Sequence, residues 1–386
     1  MPNIKLQNIP FNGNWLILLV LLAYGLNFAL KLFNRRHRND LLQNLTNNGP
    51  DLFLLVVLFF IAAGFLSLIN AADKAVTIKE TCRLLTYVLV YFIVKTEVTS
   101  NASAQNLLKA YLLSSLLVAS VGLFQYLRAP GEIAATLENP NILGAFLILP
   151  FFPALTVALF SRLDLWEKSL WGLTAVLIGA AIILTHSRNA FLALVLGLGL
   201  LAVIFIKKRI ILLVAGAGAV GLSLPLLINR FSEILNMEMN VSRFKLWEAA
   251  WYMIKDHPLL GIGNGNFPIV YNQYVELYPK ELKYFYDVTP VHPHNILVKV
   301  QCELGLVGTA ALILLVVGII IQYRSFFKFA LKNPFNESFY KGFAVSLIVF
   351  GLMNMVDCFI GTRVELLFWI LLGIQHSFLK NDWKGF

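Results

Sequence analysis

Two arginines and a pair of histidines are the residues whose types and settings best suit chemistry in this sequence. Arg188 stands in the polar break Thr185-His186-Ser187-Arg188-Asn189 between two apolar stretches, where a short turn has no need of a guanidinium. A snorkelling arginine is the bland reading, but ionisable residues at membrane depth point by default to function. Arg243 opens the helically spaced segment Arg243-Phe244-Lys245-Leu246-Trp247-Glu248. The helix macrodipole disfavours a cation there, so an anion would compensate; a solvated rim charge is the plainer alternative. His292 and His294 flank Pro293 where the chain returns to an apolar run, followed by Asn295 and then Glu303. Two histidines can ligate a metal, but no Asp, Glu or Cys cluster accompanies them in sequence, so neither a metal nor another cofactor is expected. A histidine serving as a helix cap is the ordinary alternative. Arg128 leads a loop to Asn139-Pro140-Asn141, where Asn139 can simply cap the next helix with Pro140 at its first position. Arginine forks grip a diphosphate and stabilise charge on a departing phosphate, while a histidine near its working pKa takes the proton of an attacking hydroxyl. That combination suits metal-free glycosyl transfer from a lipid diphosphate. Arginines in a membrane also suit an anion transporter.

The elements that must carry these side chains are helices in a bilayer. Hydrophobic residues make up 58% of the chain and charged residues only 13%, with the apolar residues in long runs that a soluble domain cannot hide. Stretches of spanning length fall near 15–33, 52–70, 84–99, 107–127, 141–160, 170–186, 190–206, 210–228, 296–321, 340–356 and 365–379. Basic residues recur at every second connection, among them Arg35, Arg36 and Arg38; Arg162 and Lys168; Lys207, Lys208 and Arg209; and Arg324, Lys328 and Lys332. By the positive-inside rule these ends face the cytoplasm, which puts the N-terminus outside and the C-terminus inside. The net charge of +10 is therefore a topology signal rather than a basic stripe for nucleic acid. The first apolar run precedes its charge cluster and lacks a small-residue cleavage site, so it is expected to stay as a helix.

The whole chain, 1–386, is expected to form a single membrane domain, without a repeat of the transporter kind. The exception to dense helix packing is 229–295, which lacks a spanning run and is expected to be a large extracytoplasmic loop. Within it, Phe244, Trp247, Trp251 and Ile254 share a helical face suited to the membrane interface. His257-Pro258-Leu259-Leu260-Gly261-Ile262-Gly263 then ends the helix in a glycine-rich turn, which lacks the Gly-Lys-Ser/Thr of a nucleotide loop. Cys82, Cys302 and Cys358 are too scattered for a disulfide framework or zinc site and are expected to serve packing.

Ser187-Arg188-Asn189-Ala190, the run from Arg243 through Trp247 to His257-Pro258-Leu259-Leu260-Gly261-Ile262-Gly263, and His294-Asn295 followed by Glu303-Leu304-Gly305-Leu306-Val307-Gly308 resemble the O-antigen ligase and polymerase superfamily. Asn139-Pro140-Asn141 adds to the likeness, which spans roughly residues 100 to 380. The resemblance implies an all-α polytopic bundle of about 11–12 helices of glycosyltransferase-C type with a large periplasmic loop. It implies a multi-pass protein of the bacterial inner membrane that takes an undecaprenyl-diphosphate-linked glycan, without metal, at its periplasmic face. Arg188 and Arg243 would hold the diphosphate, and His294 would activate the acceptor hydroxyl with inversion at the anomeric carbon. His292 would support it, and Arg128, Asn141, Asn295 and Glu303 would contribute to substrate binding. Many relatives have about twelve helices and a cytoplasmic N-terminus, whereas this sequence shows eleven runs.

Within that superfamily, ligases move a finished glycan once onto lipid A-core, polymerases join repeat units, and other transferases modify protein hydroxyls. The modest length and single large loop disfavour the last. A ligase acting on lipid A-core or a similar acceptor is the first expectation, a polysaccharide polymerase the second. A small-anion transporter using Arg188 or Arg363 as counter-charge is a third, disfavoured by the almost wholly apolar runs 190–206 and 210–228. The expected partners are the lipid-linked glycan, an acceptor glycolipid or glycan, and membrane lipids.

Overall fold

The computed structural model describes residues 4–6, 9–11, 14–33, 52–204, 218, 237–282, 290–329 and 333–382. A short antiparallel hairpin of β1 (Ile4–Leu6) and β2 (Ile9–Phe11) precedes helix α1 (Asn14–Phe33). Then follow α2 (Leu52–Leu66), extended by a 3-10 turn (Ser67–Ile69), α3 (Lys74–Glu97), α4 (Asn101–Arg128), α5 (Pro140–Phe160), α6 (Leu165–Leu184) and α7 (Arg188–Ile204). The loop region carries α8 (Met237–Asp256), α9 (Phe267–Leu277) and the single turn α10 (Pro279–Leu282). The chain ends with α11 (Ile296–Phe329), α12 (Pro334–Val356) and α13 (Arg363–Asp382). The architecture is the all-α helical bundle expected. Of the expected spans, all but 210–228 coincide with helices, and that one, apart from residue 218, lies outside the described residues.

Among the described residues, six stretches are long and apolar enough to cross a bilayer: Leu52–Ile69, Asn101–Arg128, Pro140–Phe160, Leu165–Leu184, Ile296–Lys328 and Pro334–Val356. Arg188–Ile204 and Val364–Ser377 are shorter apolar helices. The chain is therefore a multi-pass membrane protein. The starts are set by local chemistry: Ser100 and Ser103 form a reciprocal capping box, Asn139 accepts from Ile142 N at 2.9 Å ahead of Pro140, and Asn333 caps ahead of Pro334. Helix α5 is enclosed by α6, α7 and α12, with Leu147, Leu149 and Phe152 fully buried. Leu113, Leu117 and Phe124 on α4 and Leu173 and Val176 on α6 face outward, as lipid-facing side chains do. A second core joins α2, α3, α11 and α13 around Tyr91, Leu315 and Leu372.

Helix α3 begins at Lys74, well before the expected apolar run at 84, because its polar first turns have partners. Asp73 caps it, while Thr77 and Thr81 take the side-chain amides of Asn266 (2.7 Å) and Asn264 (3.1 Å). Hydropathy alone does not register a helix start stabilised in this way.

The glycine-rich turn after α8 docks on a break in α11. Gly305 has φ +66° and ψ −163°, so the helix ladder is interrupted there. The groups this frees pair with the turn: Leu306 N and Val307 N donate to the carbonyls of Pro258 and Leu259, while Ile262 N and Gly263 N donate to those of Cys302 and Glu303. The backbones are so close that a Cβ on Gly305 would lie 2.3 Å from the Leu259 carbonyl carbon, and one on Gly261 the same distance from that of Glu303. Gly305→Ala combines a left-handed φ with a clash against main chain. The expected outcome is a loss of roughly 2 kcal/mol or more, read as a lowered melting temperature in detergent.

Candidate functional site

The site lies at one end of the bundle, where α6 stops, α7 and α11 start and α12 ends. Between α6 and α7, His186 takes a left-handed φ of +53°, and the hydroxyls of Thr185 and Ser187 accept the amides of Ser187 and Ala190. This tight reversal makes Arg188 the first residue of α7. On the other strand of approach, Trp247 donates its indole N–H to the Pro293 carbonyl at 2.8 Å and ties α8 to the His-Pro-His segment. Arg243, one turn earlier on α8, is thereby brought to the same place.

The last turn of α12 is the common anchor. Its Met353 carbonyl accepts the side-chain amide of Asn189 at 3.0 Å, and its Met355 carbonyl accepts that of Asn295 at 2.9 Å. Asn295 also caps α11, its Oδ1 accepting from Leu297 N and Val298 N. Immediately beyond α12, Asp357 is 8% exposed in its side chain, and its Oδ1 lies 2.8 Å from His294 Nδ1 while accepting Cys358 N at 2.8 Å. His294 holds a left-handed φ of +51°, a conformation that non-glycine residues adopt where surrounding structure enforces it. His292 lies at 4.4 Å between ring centroids, and its Nδ1 accepts the His294 backbone N–H at 3.2 Å.

These contacts set the protonation states. Burial alone would push the Asp357 carboxyl up, but the hydrogen bond and charge of His294, with His292 and Cys358 N–H, hold it below the usual carboxylate range. An ionised carboxylate only accepts, so His294 Nδ1 carries a proton toward it, and in the neutral imidazole the lone pair is the one on Nε2. Burial, then the neighbouring His294 and Lys299, push His292 down to about 4 despite Asp357, so it is neutral at pH 7. Burial also lowers Arg243, with Arg188 adding repulsion and Asp357 opposing it. Neither the Arg188 nor the Arg243 guanidinium makes a hydrogen bond or ion pair among the described residues. A cavity of about 200 Å³ opens beside Arg243, walled by Phe244, Trp247, Met355 and Val356.

His292 links the site to acid stability. Its depressed folded pKa means the unfolded chain binds more protons between the ordinary value of 6.5 and about 4. Stability is therefore expected to fall as pH drops through that window, and His292→Gln to flatten the dependence. Melting temperatures at pH 7, 5.5 and 4.5 on both proteins check this.

Arg188, Arg243, His292 and His294 are thus brought together, and Asp357 joins them. The other expected site residues are placed differently. Glu303 is fully buried and accepts the amides of Gly265 (2.9 Å) and Phe267 (3.3 Å), holding the turn into α9. Asn295 uses its amide group on Met355 and on the cap. Arg128, at the end of α4, is exposed with its guanidinium 4.9 Å from the Phe124 ring centre, and Asn141 is exposed in the first turn of α5. Sequence reading missed Asp357; the available signal was an acidic residue directly after an apolar run, on the side of the two arginines. With it, His292, His294 and Asp357 offer three potential metal-ligand atoms within 4.8 Å of one another. Their hydrogen bonds speak for another use. The His292 Nδ1 lone pair is taken, the His294 Nδ1 proton faces Asp357, and two guanidiniums oppose a further cation.

Fold and site together define a helical multi-pass membrane protein with a polar, cation-rich centre at one end of its bundle. Residues 173–313 match the family described as O-antigen ligase, which supports the resemblance to the O-antigen ligase superfamily. The matched stretch contains both arginines and both histidines but ends before Asp357. A search of curated proteins gives no match.

Proposed function

We propose that the chain is an inverting membrane glycosyltransferase that moves a glycan from undecaprenyl diphosphate to an acceptor hydroxyl, as an O-antigen ligase does, at the extracytoplasmic face. The observation that carries this reading is the pair of guanidiniums without ion-pair partners among the described residues, beside a histidine whose Nδ1 is held by a buried carboxylate. Arg188 and Arg243 bind the diphosphate oxygens and take up the charge that develops on the leaving group. The apolar cavity beside Arg243 suits the isoprene units nearest that diphosphate. The acceptor oxygen attacks the anomeric carbon as its proton passes to His294 Nε2. The new C–O bond forms as the bond to the diphosphate breaks, and Asp357 stabilises the resulting imidazolium.

The test is to incubate the protein in nanodiscs with an undecaprenyl-diphosphate-linked glycan and a candidate acceptor, without divalent metal, and to follow release of undecaprenyl diphosphate. Release by the parent and its loss in Arg188→Ala, Arg243→Ala and His294→Ala is expected. Unchanged release in all three variants would sink the site. One added glycan marks a ligase, whereas a ladder marks a polymerase.

A further inference from the structure

One face of α12 is apolar and open among the described residues. Ile348, Leu352 and Val356 stand at successive turns and are 50%, 49% and 38% exposed, with Gly351 exposed beside them. A Cβ added to Gly351 would meet nothing within 4 Å, so the glycine leaves an open notch in that face rather than a close helix contact. Because α12 crosses the bilayer towards the site, the stripe rises from the membrane interior to Val356, over about 12 Å from Ile348. Val356 is also a wall of the cavity beside Arg243, together with Met355, Phe244 and Trp247. On the α8 side of that cavity Phe244 is 61% exposed, its ring edge-on to Trp247, whose indole is held by the Pro293 carbonyl. Stripe, cavity and the Arg243 guanidinium are thus continuous. The lipid-facing stripe of α4 differs, since it ends at Arg128, whose guanidinium lies over the Phe124 ring.

In a bilayer, hydrophobicity alone does not hold an isoprenoid tail to a helix, because the surrounding acyl chains are equally apolar. Close packing does, and a small residue lets a chain approach the backbone. The cations at the top of the stripe supply the other half of the fit, an attraction for the anionic head of the same lipid. We propose that the polyprenyl tail of the donor leaves the cavity between Phe244 and Val356 and lies in the Gly351 notch, which makes the edge between α8 and α12 the lateral entrance for the lipid diphosphate. This rests on the transferase reading above and gives the path that its donor takes. A geranyl tail is of a size to end within the cavity of about 200 Å³, whereas an undecaprenyl tail must pass Gly351. Gly351 therefore bears on the length of tail accepted and takes no part in bond breaking.

The test uses the full chain in nanodiscs, with a photoreactive undecaprenyl diphosphate whose cross-links are mapped by peptide mass spectrometry, and with glycan donors carrying undecaprenyl or geranyl tails. Cross-links to the α12 face around Gly351 and to Phe244 are expected. The same photoreactive tail on an uncharged polyprenol should lose them, since it lacks the diphosphate that the arginines hold. Gly351→Leu should fill the notch, raise KM for the undecaprenyl donor roughly 3- to 10-fold and leave KM for the geranyl donor as it was. Its melting temperature should not fall, because the new side chain enters open space and leucine is the better helix former. Cross-links elsewhere in the chain, equal labelling by the polyprenol, or a Gly351→Leu variant in which both donors keep or change KM alike would each overturn the proposal. Diphosphate-dependent labelling of the Gly351 face without any glycan transfer would instead count against the transferase reading alone.

Discussion

Asp357→Asn is expected to slow glycan transfer by about 10²- to 10⁴-fold, the range of general acid–base assistance, while donor binding persists. The Asp357 carboxylate fixes which His294 nitrogen is protonated. An asparagine has two ways to sit there and both fail. If its NH₂ turns to His294, Nδ1 must accept, the proton moves to Nε2 and the base is lost. If its carbonyl stays, the tautomer survives but the charge that stabilises the imidazolium is gone. In the second orientation the carbonyl still accepts Cys358 N, so the turn after α12 should hold. The measurement is kcat against KM for the lipid donor: a fall in kcat at constant donor KM is expected. A donor KM that rises with kcat unchanged would place Asp357 in binding instead.

Replacement of Arg243 should be comparably severe. Loss of one preorganised donor to a developing oxyanion typically costs about 10²–10³ in rate, and Arg243, like Arg188, is a half-buried member of a mutually repelling pair. Arg243→Ala should therefore lower kcat/KM for the donor on that scale, and Arg243→Lys should recover little, because an ammonium cannot offer the bidentate fork. Removing one cation also relieves its repulsion of Arg188. The double variant Arg188→Ala/Arg243→Ala should for that reason lose less than the product of the single losses, as a cycle of initial rates will show.

The helical bundle was legible because bilayer thickness imposes its period directly on composition, and the runs that became α2, α4, α5, α6, α11 and α12 need no tertiary information. The early start of α3 was not, since Thr77 and Thr81 are stabilised by asparagines far along the chain. Arg188, Arg243 and the two histidines announced themselves as polar groups beside apolar runs. Asp357 did not, because its meaning comes from a hydrogen bond across 63 residues to His294. Glu303 shows the converse: it shares a motif with the histidines, yet its carboxylate is spent on the amides of a turn, a use no local pattern reveals.

The anchoring role of α12 has a consequence for how the protein matures. During synthesis the arginines and histidines emerge first, and the carbonyls of Met353 and Met355 and the carboxylate of Asp357 only afterwards. Until α12 is inserted, Asn189 and Asn295 lack their acceptors and His294 lacks the partner that sets its tautomer. A nascent chain threaded only as far as α11 therefore carries the cations without an organised base. The chemistry becomes competent late in biogenesis, once nearly the whole bundle stands around it.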